Sequence, residues 1–391
     1  MLDQGVVAVT NFSLTLAVAR IGGLNTLGTF SILSVSMLLL LGFSRLFITE
    51  PWLVSRVQND PSGPLLTLIW AAGISSAGLF FFGILFFLPG EWAWLWAAPI
   101  SGFWIVQDAG RFIAFKAQQP DRALLSDGVI LVIVAAGATV SLFLVPAGVA
   151  LELLLAAWAV AMLAGLFTVM PSLGSNSPRL RGTASWWSAH LRLNSLPMVH
   201  DGVAYLVASN FTLYLIAATA RAEEVGLIRV VTSLFSPLAL IFTGISMWLV
   251  PLLTQLGAAA SKTMRHRVSL LLALLSLPLL TLATLFGPRL AGAVFDLSTP
   301  PTAATLLLAG LSTSIIAIGS PWMAAAKIEG LYRSVAWGRT LAAALAVGAI
   351  AFFPAVQSVE GFLAVTLAQS AVVVATAILV VARSEPQLGN D

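Results

Sequence analysis

Residues 11–28 read NFSLTLAVARIGGLNTLG, and residues 210–226 read NFTLYLIAATARAEEVG. Each segment opens on an Asn-Phe pair and closes on a glycine, Gly28 and Gly226, with an offset of 199 at the pair and 198 at the glycines. Asp3 and Asp201 stand 8 and 9 residues before the two asparagines. In a composition this apolar, six matched residues carry little by themselves. Their place in the chain carries more, because they recur six apolar spans apart, at the start of each half and at the same membrane polarity.

The spans follow from length. Crossing the hydrocarbon takes roughly 20 mostly apolar residues. Such runs lie near 5–20, 27–48, 65–88, 92–113, 123–145 and 149–170, then near 196–219, 226–252, 268–287, 302–325, 334–353 and 359–382. That makes twelve. The first is short with almost nothing before it, which predicts a reading frame that begins further upstream. Met1-Leu2-Asp3 lacks a basic n-region, so a cleaved signal peptide is not expected.

Composition agrees. The chain is 59% hydrophobic and 9% charged, where soluble domains are about 25% charged. No soluble fold hides so much apolar surface. The 19 basic residues are spread over 391 positions and form no dense patch, so nucleic acid is not an expected partner. The absence of cysteine excludes disulfides, thiolate metal sites and cysteine nucleophiles. None of His190, His200 and His266 has two further ligands nearby, so neither a metal site nor a cofactor is expected.

Charge placement orients the spans. With the N-terminus inside, the cytoplasmic loops carry 15 of the basic residues and the outer side only Arg20, Arg221, Arg229 and Arg289. Basic residues are retained on the cytoplasmic side during insertion, which predicts a multi-pass membrane protein with both termini in the cytoplasm. Trp92, Trp94 and Trp96 open the fourth span at the outer interface, where amphipathic rings belong. The longest polar stretch, 172–194, is cytoplasmic. Within it, 184–193 reads either as a short interfacial helix, Trp186 and Trp187 on its apolar side, or as an ordered loop.

The fold class is therefore all-α, an integral membrane protein of about twelve transmembrane helices in two six-helix lobes. The lobes cover 1–171 and 196–391 and are joined by a cytoplasmic linker, 172–195. Two halves in the same orientation form a parallel repeat, which transporters use to build a central site with alternating access.

Several stretches resemble a known family. Asp3-Gln4-Gly5, Thr10-Asn11-Phe12, Ala19-Arg20 and Leu27-Gly28-Thr29-Phe30 are similar to the opening of bacterial polysaccharide flippases. Gln107-Asp108-Ala-Gly-Arg111-Phe and Pro120-Asp-Arg-Ala-Leu-Leu-Ser-Asp127 resemble a segment of actinobacterial members. Glu224-Val225-Gly226-Leu-Ile-Arg229, with Pro237 and Pro251, resembles their eighth span. The family is the oligosaccharide flippase branch of the multidrug/oligosaccharidyl-lipid/polysaccharide exporter superfamily. The resemblance covers nearly the whole chain through loose, mostly apolar motifs. It implies two six-helix lobes that flip polyprenyl-diphosphate-linked glycans outward. The family's cytoplasmic N-terminal tail has no counterpart here.

Ionisable groups inside spans cost roughly 2.5–3.5 kcal/mol at the bilayer centre and usually face a cavity or a partner. Asp108 and Arg111 lie three apart on one helical face. Counting eight residues each way from Gln119 puts Arg111 and Asp127 at similar depth on facing helices. An Asp108/Arg111/Asp127 cluster reads either as an ion network locking two helices or as a cytoplasmic gate or diphosphate contact. Arg20 and Arg229 either snorkel to headgroups or bind diphosphate oxygens with their forked guanidinium groups. Arg45 carries the same two readings. Asp201 is either an H+ or Na+ coupling site or a cap after Pro197. Pro237 and Pro278 each remove a helical hydrogen bond, and a kink is expected there.

Among function classes, the flippase of a lipid-linked glycan leads, with membrane lipids as its surroundings. Its rival within transport is a cation-coupled drug exporter of the same superfamily. A membrane-embedded glycan-processing enzyme needs polar loops bearing acids or histidines, whereas the short outer loops here offer only Glu223, Glu224 and Asp296. A non-transporting scaffold of an envelope machine fits the two-fold repeat no worse.

Overall fold

The computed structural model describes residues 2–54, 63–174, 177–194, 196–219, 221–236, 249, 253, 258–297, 299–353 and 356–384, and among them there is no strand. Helix is the physical necessity here, because hydrocarbon offers backbone N–H and C=O groups no partner outside the segment. The long helices are α1 (Leu2–Ser44), α3 (Gly63–Phe87), α4 (Ala97–Lys116), α5 (Pro120–Phe143), α6 (Ala147–Val169), α8 (Leu196–Thr219), α10 (Ala258–Phe295), α11 (Ala303–Ile328), α12 (Tyr332–Phe352) and α13 (Val359–Ser384). Three shorter ones are α2 (Glu50–Val54), α7 (Thr183–Asn194) and α9 (Ala222–Leu234).

Among the described residues, eight helical stretches are long and apolar enough to cross a membrane. One of them, Gly5–Leu53, has 49 residues, the length of two spans at 1.5 Å per residue. Its two segments meet at Gly23, where φ 68° and ψ −168° interrupt the helix in a region essentially reserved for glycine. The helices α4 and α8 fall on two further spans expected from the sequence, and α9 on the start of a third whose remainder lies mostly outside the described residues. Large apolar side chains face outward: Phe82, Phe86 and Phe87 are 70–78% exposed, a surface suited to lipid. The helix α10 passes through Pro278 and Pro288 as one element; Pro237 lies outside the described residues.

The chain forms two compact units, one of 1–22 and 33–199, the other of 23–32 and 200–391. Their internal architecture repeats. In the first, α4 packs on α3, α6 and α5, and α5 on α6; in the second, α11 packs on α10, α13 and α12, and α12 on α13. The starts of α5 and α12 and of α6 and α13 are each 212 residues apart, as are the ends of α4 and α11. The α4–α5 and α11–α12 turns share their hydrogen bonds at that offset. Gln119 N–H donates to Ala114 O (2.9 Å) as Leu331 N–H does to Ala326 O (2.8 Å), and Ala117 to Ile113 O as Glu329 does to Ala325 O. Gln118 (φ 59°) and Gly330 (φ 73°) hold the same left-handed position.

Within the second unit, the segment 23–32 meets the start of α9. A methyl group on Gly28 would run into the carbonyl of Ala222, and one on Gly226 into that of Leu24. Both pairs obey the 198-residue offset, so the contact has local two-fold symmetry. Small residues let membrane helices approach to backbone contact, and this is why each copy of the repeat ends on glycine.

Candidate functional site

The helix α4 buries Gln107, Asp108 and Arg111 at 1%, 1% and 7% exposure. A membrane helix tolerates such a set only where partners wait. Residues three and four apart share a helical face, so Asp108 and Arg111 lie together and Gln107 aligns with Arg111. From α5 come Ser126 and Asp127, at 0% and 3% exposure. Arg111 Nη2 lies 2.9 Å from Asp127 Oδ2, and Arg111 Nη1 lies 3.5 Å from Asp108 Oδ1. Gln107 Nε2 donates to Ser126 Oγ (2.8 Å) and to Asp127 Oδ1 (3.4 Å), while Ser126 Oγ donates to Gly165 O on α6 (2.8 Å).

A second arginine grips the far side of Asp108. Arg45 Nε donates to Oδ2 at 2.7 Å and Nη2 to Oδ1 at 2.6 Å, the bidentate fork that makes arginine–carboxylate pairs strong and directional. The guanidinium also lies 5.3 Å from the Phe112 ring centroid. Arg45, Asp108, Arg111 and Asp127 thus form a line of alternating charge with no net charge. Its ends differ: the Arg45 side chain is 37% exposed and the Asp127 side chain 2%. One end opens to the surroundings and the other is sealed.

The other candidates stand apart from this line. Arg20 is exposed near the end of the first segment of α1. Arg229, on α9 in the second unit, is half-buried, and its Nε is buried with no hydrogen-bond acceptor among the described residues. Asp201 lies on α8, and its side chain is outside the described residues. The described residues contain no group of His, Cys, Asp or Glu able to hold a metal ion.

Sequence reasoning missed three things. Gln107 and Ser126 complete the network, and their positions beside Asp108 and Asp127 were the available signal. Arg45 belongs to Asp108, 63 residues away, and nothing in a single sequence marks that pair. The second unit has its own ionic tie: Arg265 Nη1 lies 3.2 Å from Glu329 Oε1, and Ser384 Oγ donates to Glu329 Oε2 at 2.7 Å.

By sequence, no family model and no curated protein matches the chain. Solved structures do match by fold. An inward-facing multidrug resistance MATE family transporter of the MOP superfamily aligns with TM-score 0.64 at 12% identity, covering 97% of this chain and 95% of that one. The lipid II flippase MurJ in an inward closed conformation aligns with TM-score 0.68 at 11% identity, covering 96% and 87%. A Vibrio cholerae MATE transporter, VcmN, gives 0.61 at 15% identity, covering 98% and 94%. Each alignment runs nearly end to end, so the chain has the twelve-helix, two-lobe fold of the MOP-superfamily transporters.

Proposed function

We propose that this protein is a transporter that flips an anionic, lipid-linked oligosaccharide across the bacterial cytoplasmic membrane by alternating access. The similar structures include a lipid II flippase and multidrug transporters, so the sign of charge the protein accepts decides between the two readings. The observation that carries the anionic reading is Arg229. An arginine in a membrane helix whose buried Nε has no acceptor among the described residues leaves a donor open to a ligand, and a diphosphate oxygen is an acceptor that fits it. The acids point the same way. Asp108 and Asp127 are each held by arginine, so neither offers a vacant carboxylate to a cationic drug.

In this reading Arg20 and Arg229 contact the diphosphate. Arg45 receives it from the cytoplasmic side, exchanging Asp108 for phosphate, while Arg111 and Asp127 hold the sealed end of the gate. Asp201 is the candidate for H+ or Na+ coupling. Both termini and the linker are cytoplasmic. Cysteines placed singly at Ser185 and Glu223, both exposed, test that orientation: an impermeant thiol reagent added to intact cells labels position 223 and spares 185.

The substrate test is reconstitution of the protein in liposomes with a fluorescent polyprenyl-diphosphate saccharide. Arg229→Ala is expected to abolish flipping at unchanged protein abundance, and Arg229→Lys to restore it only in part, because lysine lacks the bidentate fork. Wild-type protein that ignores the saccharide lipid and exports a cationic dye would sink the proposal in favour of the drug exporter.

A further inference from the structure

We infer that Trp187, on the linker helix α7, is a positioning residue for Arg45: its indole N–H holds the turn that aims the guanidinium at Asp108. The functional part of this inference rests on the reading of Arg45–Asp108 as the opening end of the gate. Its geometry does not.

The inner end of the second span does not wind as an α-helix. Arg45–Thr49 form a single π turn, closed by Glu50 N–H donating to Arg45 O. Such a turn takes in one residue more than an α turn. Since each helical residue turns the chain by about 100°, relaxation to α winding would swing Arg45 by that angle relative to the chain after it. The bidentate fork would not survive a rotation of that size. π turns are rare and persist where neighbours hold them.

One neighbour holds this turn directly, and a second holds the short helix α2 that follows it. Trp187 Nε1 donates to Phe47 O, in the middle of the turn, at 2.9 Å. Lys116, the last residue of α4, donates Nζ to Trp52 O at 2.9 Å and sits 4.0 Å from the centroid of the Trp52 ring. Trp186 packs on the same cluster as Trp52, which is fully buried. An interfacial tryptophan needs only headgroups around it, yet Trp187 spends its one donor on a carbonyl 140 residues earlier in the chain. The helix that joins the two halves is therefore fastened to the backbone that sets Arg45, and a pull on the linker reaches the gate through one hydrogen bond.

The experiment uses the whole cysteine-free chain of 391 residues with one introduced cysteine, Leu46→Cys, inside the π turn and 5% exposed. Inside-out vesicles are treated with an impermeant maleimide. Trp187→Phe keeps the ring and removes the donor; it is expected to raise the labelling rate at position 46 severalfold, and Trp187→His, which restores an N–H, to bring it back down. A control cysteine at Ala114, fully buried at the inner end of α4, should not change. This arm needs no substrate, so it reads the turn even if the glycan reading fails. Where flipping is measurable, Trp187→Phe should add no loss on top of Arg45→Ala. Unchanged labelling at 46, equal rises at 46 and 114, or flipping losses that multiply would each overturn the inference.

Discussion

The α4–α5 and α11–α12 hairpins share a backbone and differ in chemistry. At the 212-residue offset their turns, hydrogen bonds and left-handed residues coincide. The packing behind them coincides too: Ser126 lies against Gly165 in the first unit, and Gly338 against Thr376 in the second, one residue from the counterpart of Gly165. The charged positions do not. Asp108 corresponds to Ser320, Arg111 to Met323 and Asp127 to Arg339. Where the first unit has an arginine–carboxylate pair, the second has Arg339 Nη2 at 3.8 Å from Met323 Sδ. Turn hydrogen bonds and small interfacial residues are thus enough to preserve a membrane hairpin. Side-chain charge is left free to make the two halves unequal, and here the first hairpin alone pairs Arg111 with Asp127 at this place.

The largest effect should come from breaking the Arg111–Asp127 pair, whose counterparts in the other hairpin are Met323 and Arg339. Arg111→Ala leaves Asp127 buried without its cation, and removing one partner of a buried ion pair costs about 3–5 kcal/mol. Arg111→Ala/Asp127→Ala should recover part of that loss. At the matching position of the second hairpin, Met323→Leu is a volume-conserving change expected to cost less than about 1.5 kcal/mol. Thermal unfolding of the detergent-solubilised protein measures all three. Equal losses for Arg111→Ala and Met323→Leu would erase the distinction between the hairpins.

A middle-sized effect tests the feature the halves share. Gly28→Ala and Gly226→Ala each drive a methyl group into a facing carbonyl, and overpacking of this kind costs about 1–3 kcal/mol. Because the contact is locally two-fold, the two losses should be similar. The double variant should lose less than their sum, since a single separation of the two segments relieves both clashes. Strict additivity, or a loss at one glycine alone, would break the symmetry.

How much of this the sequence discloses depends on the reach of each interaction. Spans are legible because twenty apolar residues in a row have few other uses. The repeat is legible because Gly28 and Gly226 must be small where backbones touch. Arg111 and Asp127 can be placed at one depth by counting from Gln119, since a tight turn fixes register on both sides. Arg45 and Asp108 are 63 residues apart and meet only through helix packing, which no local spacing encodes. The π turn at Arg45–Thr49 is hidden for the same reason, because what holds it is a tryptophan 140 residues away. Gln107 and Ser126 lay within reach, but polar neutral residues in a membrane helix are common enough that neither draws notice beside a charge.

The smallest expected effect compares the hairpins at their turns, where backbone alone is at stake. Gln118 and Gly330 both have positive φ, 59° and 73°. A side chain in the left-handed region costs about 1–2 kcal/mol through contact of Cβ with the following carbonyl. Gln118 bears that cost and Gly330 does not. Gln118→Gly relieves it but gives the unfolded chain more freedom, an opposing term of about 0.4–1 kcal/mol. The net gain should therefore lie between about 0 and 1.6 kcal/mol. Gly330→Gln imposes the same strain and recovers the same entropy, so it should lose a similar amount. The two substitutions are expected to move the midpoint of unfolding in opposite directions by comparable steps. Stabilisation by both, or by neither, would mean that the two turns are held by different surroundings and that their matched hydrogen bonds do not set their energy.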